Sequence, residues 1–524
     1  MTPPSVSTAG IPGGNLGGIS CPWVGTGRIA YVDATAGIDT TGVDTPAVEV
    51  SFDTFDDLAA RVAGGLAARG LTAAARVGLL ADNSVAYGAC YLGIPRAGMA
   101  TVPLNTRQSP ENLRYVADDA ELTLVIHDAA NAHLLPPNIA AIELGTAAWE
   151  TLVANDQLDP VTVDADDIAV QMYTSGSTGK PKGVLLSHGG QLFSIEQYLT
   201  GVLPMDPDER LMVSAPMYHK NAGMQLKMAI TLGGTVILLN RFNAAEYLRT
   251  AAAHRATAVS GVPTMFALMA AETELVPTLD LSSVVRASIG SAPMTPTLHA
   301  QASELFPAAT VTNGYGTTEA VAVFGGHPDG KPRPTITVGH PLASVETRLV
   351  DSTGSDAQPD PVTGRRQGEL WVRSRGLMMG YHGLEALTAE RVTDGWYHTG
   401  DVMEADEDGW HYFVGRVDDM FNCGGENVYP GDVEQLLERC PGIHQAAVVP
   451  VDDELKGALP VAFVVADAGA SIDEPTVKTW SLEHGPAYQH PRAVWFVDEI
   501  PLAGTAKIDK HALTIEAASR WTPR

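Results

Sequence analysis

From about residue 50 to residue 330 the hydrophobic period of the chain keeps switching, and this constrains the fold more than any other feature. Phe55, Leu58, Val62 and Leu66 recur at helical spacing, so 53–69 reads as an amphipathic helix ending at Gly70. Short apolar runs at 77–80, 122–126, 168–172, 235–239 and 284–289 read as buried strands. Helical segments such as 186–200 and 243–254 lie between them. Strand–helix alternation on this scale predicts an α/β fold of layered, mainly parallel sheets.

The texture changes twice further on. After about residue 335, short strands such as 368–372 sit among glycine-rich turns, which predicts a small β-rich subdomain over about 335–415. After Gly415 and Arg416, a helix at 432–439 precedes strands at 446–450 and 461–465 and a helical stretch near 474–484. That is a small α+β domain of about a hundred residues, an ordinary size for a unit with its own core. The opening MTPPSVSTAGIPGGNLGG is rich in Gly, Pro and Ser and reads as a flexible tail over 1–20. With no basic start and no apolar core region, it is not a signal peptide.

The chain has 524 residues and a formal net charge of −28. A surface this acidic repels phosphate backbones and anionic lipid, so nonspecific binding to nucleic acid or membrane is disfavoured. No apolar run reaches spanning length. Cys21, Cys90, Cys423 and Cys440 are far apart and form no CxxC pair, which argues against a zinc site or a disulfide framework and for reduced thiols in the cytoplasm.

The strongest chemical signal follows the apolar run at 168–173. Thr174-Ser175-Gly176-Ser177-Thr178-Gly179-Lys180-Pro181-Lys182-Gly183 combines glycines that let backbone N–H groups turn inward, four hydroxyls and two lysines. That donor set suits a polyphosphate. The loop is not a Walker motif, because Thr174 and Pro181 stand where that motif needs glycine and Ser or Thr.

TSGSTGKPKG resembles the signature of the adenylate-forming superfamily, which includes acyl-CoA synthetases, amino-acid adenylation domains and firefly-type luciferases. Further motifs of that superfamily follow in order: Pro216-Met217-Tyr218-His219, Gly290-Ser291-Ala292-Pro293, Gly314-Tyr315-Gly316-Thr317-Thr318-Glu319, Tyr397-His398-Thr399-Gly400-Asp401, Gly415-Arg416-Val417-Asp418-Asp419 and Gly504-Thr505-Ala506-Lys507-Ile508. The resemblance runs from about residue 25 to 515. It implies a large N-terminal adenylation domain over 21–417, a mobile C-terminal domain over 418–524 and a hinge at Asp418.

The resemblance also assigns roles. Residues 174–180 and Lys182 would bind the ATP phosphates, and Tyr315 would stack on adenine with Ser291, Ala292 and Pro293 beside it. Gly314, Gly316, Thr317 and Thr318 would complete that wall. Glu319 offers a hard oxygen to Mg2+, with Thr174 nearby. Asp401 would accept the ribose hydroxyls and Arg416 would help fix the ribose. Taken alone, Tyr315 reads as a core aromatic, Glu319 as a solvated charge and Asp401 as a turn residue; the flanking motifs change those readings. Lys507 would bridge the substrate carboxylate and the α-phosphate, offsetting repulsion between two anions. Gly424, Gly425 and Glu426 would line the channel for the CoA thiol once the C-terminal domain rotates.

The resemblance implies an AMP-forming acyl-CoA synthetase, an acid–thiol ligase that uses ATP, Mg2+ and coenzyme A. Two alternatives stay open: a ligase that loads a phosphopantetheinyl carrier protein, and a non-catalytic ligand-binding relative. The acyl pocket is expected to draw on His219, Met224, Val262, Met265, Gly290, Gly314 and Val321. The segment 218–224 holds no acidic residue to pair with an amine, which disfavours amino-acid substrates. A bulky or extended hydrophobic acid is expected, fatty, aryl or polycyclic. Lys220 stands where an apolar residue is expected and reads as pointing to solvent, or else as contacting CoA phosphate or a polar acyl group. Oligomeric state has no signature here.

Overall fold

The computed structural model describes residues 8–35, 47–174, 180–202, 205, 207–292, 294–320, 322–424, 426–453, 455–467, 469–502 and 508–522. Two seven-stranded sheets carry most of the chain up to Gly314, with Gly380–Tyr381 added to the second. One runs Thr310–Gly314, Arg286–Gly290, Ala258–Gly261, Arg210–Val213, Thr235–Leu238, Ile29–Asp33 and Val48–Ser51, parallel throughout except for the last pair. The other runs Gly380–Tyr381, Lys182–Ser187, Ile168–Thr174, Ala100–Pro103, Arg76–Leu80, Leu124–His127 and Ala141–Glu143. Its first three strands pair antiparallel and the rest are parallel. The alternation of short apolar runs with helices thus produces the layered α/β fold, because a parallel neighbour requires a crossover and a helix supplies it.

The helix expected over 53–69 spans Phe52–Ala68 and is capped by the Ser51 hydroxyl, which accepts from the Thr54 N–H. It buries Phe55, Val62 and Leu66 against the helix Val85–Arg96. The helix expected from 186 begins at His188, since Leu186 and Ser187 finish a strand and Ser187 is its cap. A five-stranded antiparallel sheet built on Glu346–Val350, Arg366–Arg373, Trp396–Ala405 and His411–Arg416 forms the β-rich unit. A second five-stranded sheet carries the C-terminal region, where the long hairpin Ile443–Asp453 and Gly457–Ala466 packs beneath helices Pro430–Glu438 and Lys510–Arg520. Among the described residues no helix is long and apolar enough to cross a membrane. All four cysteines are free thiols.

The opening segment departs from the expected loose tail. Asn15, Leu16 and Ile19 are buried, and Gly17 lies so close to the helix Val85–Arg96 that a Cβ would meet the Leu92 carbonyl oxygen at 2.4 Å. The segment is also tied by polar contacts. The Leu16 N–H donates to His188 Nδ1 at 2.9 Å, and the Ser20 hydroxyl donates to Asp56 at 2.6 Å. Asp56 in turn pairs with buried Arg96 at 2.7 Å. Glycine content here marks close packing, which composition does not distinguish from looseness.

Candidate active site

The site forms where parallel strands end. Arg210–Val213, Ala258–Gly261, Arg286–Gly290 and Thr310–Gly314 all point their C-terminal ends to one edge, with Gly290 in register with Gly314. The loops leaving that edge carry His219, Val262, Ser291, Ala292 and the run Tyr315–Glu319. Ligands of open α/β sheets collect at such an edge because loops there converge from several strands. Ser291 holds a left-handed backbone at φ 67°, a conformation uncommon outside glycine and typical of a tight functional turn.

One buried carboxylate organises the residues expected to meet a nucleotide. Asp401 lies on the strand Trp396–Ala405 and receives the Tyr315 hydroxyl at 2.5 Å on one oxygen and Arg416 at 2.8 Å on the other. Arg416 also reaches Asp418 at 3.4 Å. Burial alone would lower the Arg416 pKa, but the two carboxylates raise it further than burial lowers it. Burial and the Asp401 charge keep the Tyr315 hydroxyl protonated well above its ordinary range. The Tyr315 ring is half-buried and meets Phe324 edge-on at 5.6 Å, so its orientation is set from behind. A carboxylate has about four lone-pair positions, which suits Asp401 to holding several donors at once.

The residues expected to meet phosphate are joined to Glu319. Thr174 pairs with Lys182 across the hairpin of Ile168–Thr174 and Lys182–Ser187. The Lys182 ammonium lies 5.3 Å from the centre of the Tyr381 ring, and the Tyr381 hydroxyl donates to Glu319 Oε1 at 3.0 Å. Lys180 turns the other way, 5.2 Å from the Tyr115 ring centre. Glu319, a hard carboxylate with Oε2 free of protein hydrogen bonds among the described residues, is chemically suited to a magnesium ion.

Of the residues expected to face the acid, His219 is the N-cap of the helix Lys220–Leu232. Met224 is buried within that helix, Met265 is buried in the next layer and Val262 is half-buried at a helix start. Gly314 has room for a Cβ at ordinary contact distance, whereas a Cβ on Gly290 would meet the Gly314 carbonyl oxygen at 2.8 Å. Lys220 does not point to solvent as expected. Its ammonium donates to the Thr317 carbonyl oxygen, and burial, partly opposed by the Glu319 charge, brings its pKa down to about 7. A lysine is tolerated at this position because the backbone of the Tyr315–Glu319 loop supplies the acceptor.

Ser175, Gly176, Ser177, Thr178, Gly179, Pro293, Val321, Gly425 and Lys507 lie outside the described residues. Gly424 and exposed Glu426 lie at the turn between two short strands of the C-terminal sheet, where the Gly424 N–H donates to the Lys456 carbonyl. Four site residues escaped the sequence reading: Tyr381, Phe324, Asn221 and Gln225. Asn221 and Gln225 are half-buried on a helix otherwise almost wholly buried, and Gln225 donates to Asn221 at 2.9 Å. Two amides at i,i+4 just after His219 were the available signal. Tyr381 and Phe324 had none, since each meets its partner only through the fold.

A model described as AMP-binding enzyme matches residues 28–382, and one described as AMP-binding enzyme C-terminal domain matches 432–507. A feruloyl-CoA synthase of an Amycolatopsis species is 35% identical over 456 residues, 86% of this chain and 90% of that protein. A 4-coumarate–CoA ligase of Oryza sativa subsp. japonica is 30% identical over 491 residues, covering 90% of each. Among solved structures, ATP-bound MatB from Rhodopseudomonas palustris matches with a TM-score of 0.85 at 27% identity, over 97% of this chain and all of that one.

Proposed function

This chain belongs to the AMP-binding enzyme family and is an AMP-forming acyl-CoA synthetase, and from that premise we propose that its acid is a ring-bearing, aryl-type carboxylic acid activated with Mg-ATP in this cleft. The observation that carries the nucleotide reading is the convergence of Tyr315 and Arg416 on one buried carboxylate, Asp401. A flat aromatic and a fixed acceptor on the same anchor fit a purine ribonucleoside. The aryl reading rests on the relatives named for feruloyl and 4-coumarate thioesters. The Asn221–Gln225 amide pair supports an acid bearing hydrogen-bonding substituents, since amides facing a purely alkyl chain would lose hydrogen bonds to water.

In the first half-reaction a carboxylate oxygen attacks the α-phosphorus of ATP, the bond to pyrophosphate breaks and an acyl-adenylate forms. Magnesium, held by Glu319 with Thr174 nearby, would neutralise phosphate charge when bound. Tyr315 positions the base, Asp401 and Arg416 the ribose, and the Lys507 ammonium would offset repulsion between the two anions as they join. In the second, the CoA thiol gives up its proton and its sulfur attacks the acyl carbon, releasing AMP. Asp418 serves as the hinge that exchanges Lys507 for the Gly424–Glu426 segment. Four unpaired cysteines suit a reducing compartment, so we place the enzyme in the cytoplasm.

Mass spectrometry of enzyme, Mg-ATP and a pool of aryl, polycyclic and fatty acids, with and without CoA, tests this reading. The expected result is CoA-dependent thioester drawn mainly from aryl acids. Adenylate that ignores CoA but discharges onto a holo carrier protein would overturn CoA as acceptor, and a product drawn only from fatty acids would overturn the acid class.

A further inference from the structure

Tyr381 belongs to none of the motifs that define the site, yet it touches both charged groups on the phosphate side. The two-residue strand Gly380–Tyr381 adds to the edge of the second sheet, with Tyr381 in register with Val184 and the His382 N–H donating to the Gly183 carbonyl at 2.8 Å. This fixes the ring beside Lys182, whose ammonium lies 5.3 Å from its centre. The segment just before it holds Glu319 from the backbone: the Met378 N–H donates to the Glu319 carbonyl at 2.8 Å, and Leu377 bridges to Ala320. The Tyr381 hydroxyl then takes Glu319 Oε1 at 3.0 Å. Buried Tyr397 lies behind it. The Tyr381 backbone is pinned as well, its N–H donating to the Thr388 hydroxyl at 2.9 Å.

We propose that Tyr381 is a positioning residue that aims the free oxygen of Glu319 at the nucleotide's magnesium while its ring face holds Lys182 at the phosphates, an inference that rests on the assignment of Glu319 as the metal contact. The hydroxyl and the ring do separable work. A carboxylate with one oxygen already hydrogen-bonded has one rotamer to offer a cation, so less ordering remains when the ion arrives. The ring stabilises the ammonium without neutralising it, which leaves the positive charge available to a phosphate.

The test is ATP affinity of the full chain by calorimetry across a magnesium titration, without acid, so that no turnover contributes. Tyr381→Phe keeps the ring and is expected to raise the half-saturating magnesium concentration about tenfold, the scale of one hydrogen bond to a charged group, with magnesium-free ATP affinity unchanged. Tyr381→Leu is expected to show the same magnesium shift and, in addition, about threefold weaker magnesium-free binding from loss of the cation–π contact. Glu319→Gln is the benchmark and should raise the magnesium requirement by at least as much. A thermal melt confirms that each variant is folded, and the isosteric Tyr381→Phe keeps the test decisive if the leucine variant unfolds. A wild-type magnesium profile in Tyr381→Phe beside a shifted one in Glu319→Gln overturns the role of Tyr381 alone. Unchanged profiles in both overturn the metal assignment with it.

Discussion

Two polar networks in this molecule use the same chemistry to opposite ends. The first ties the opening segment to the core through Arg96, Asp56, Ser20 and His188. The second joins Tyr315, Asp401 and Arg416 at the strand ends. Each centres on a largely buried aspartate held by an arginine and a hydroxyl donor. The first is closed: both charged side chains are packed inside, with 4% and 12% of their surface exposed, so its charges are satisfied within the core. The second is open: Arg416 keeps 38% of its side-chain surface, Gly316 beside Tyr315 is exposed and Ser291 is bent into a left-handed turn. A closed network converts buried charge into fold specificity, whereas an open one leaves hydrogen-bonding capacity for a ligand.

The largest effect should come from opening the closed network. Arg96→Met leaves Asp56 buried without its partner and is expected to cost about 3–5 kcal/mol of stability by denaturant titration, with the KM for ATP unchanged in the folded fraction. If the KM for ATP rose as well, the two networks would be coupled and the comparison would fail. Next comes Lys507→Ala, expected to lower acyl-adenylate formation about 10²–10³-fold with little change in melting temperature. Near-normal adenylate from that variant would remove the lysine from the mechanism. Asp401→Asn should weaken ATP by about ten- to a hundredfold, the scale of hydrogen bonds to a charged group, while shifting stability far less than Arg96→Met. Asp418→Pro should slow thioester formation about tenfold more than adenylation, because a fixed φ restricts the hinge; equal loss in both steps would place the hinge elsewhere.

The smallest effect is a pH dependence of the closed network. His188 Nδ1 accepts the Leu16 N–H, and burial, slightly opposed by Asp167, brings its pKa down to about 4. The unfolded chain takes up that proton near pH 6.5 and the native chain only near pH 4. The contribution is therefore present above pH 6.5 and is lost as the pH falls towards 4, the loss having reached about 1 kcal/mol by pH 5.5. His188→Gln keeps an acceptor and removes the titration, so its stability should fall less steeply between pH 6.5 and 5 than that of the wild type.

Legibility followed the range of the interaction. The helix Phe52–Ala68 and the strand Ile168–Thr174 were readable because hydrophobic period is a property of consecutive residues. The motifs that hold Tyr315, Asp401, Glu319 and Arg416 were visible because each is a run of consecutive residues. The fate of residues 11–20 was not. Glycine and proline report local freedom, and the burial of Leu16 depends on a groove beside a helix some 70 residues later. Lys220 was misread for the same reason. Its acceptor, the Thr317 carbonyl, lies 97 positions away.

The order of strands and helices and the family motifs were determined by the sequence itself, because each is encoded within a few consecutive positions. Tertiary structure alone decided which groups share a proton or a charge. Tyr315 reaches Asp401 across 86 positions, Tyr381 reaches Glu319 across 62 and Leu16 reaches His188 across 172. Hydrogen bonds act over about 3 Å, so a pairing at that separation exists only once the packing of sheets and helices has brought its two halves together.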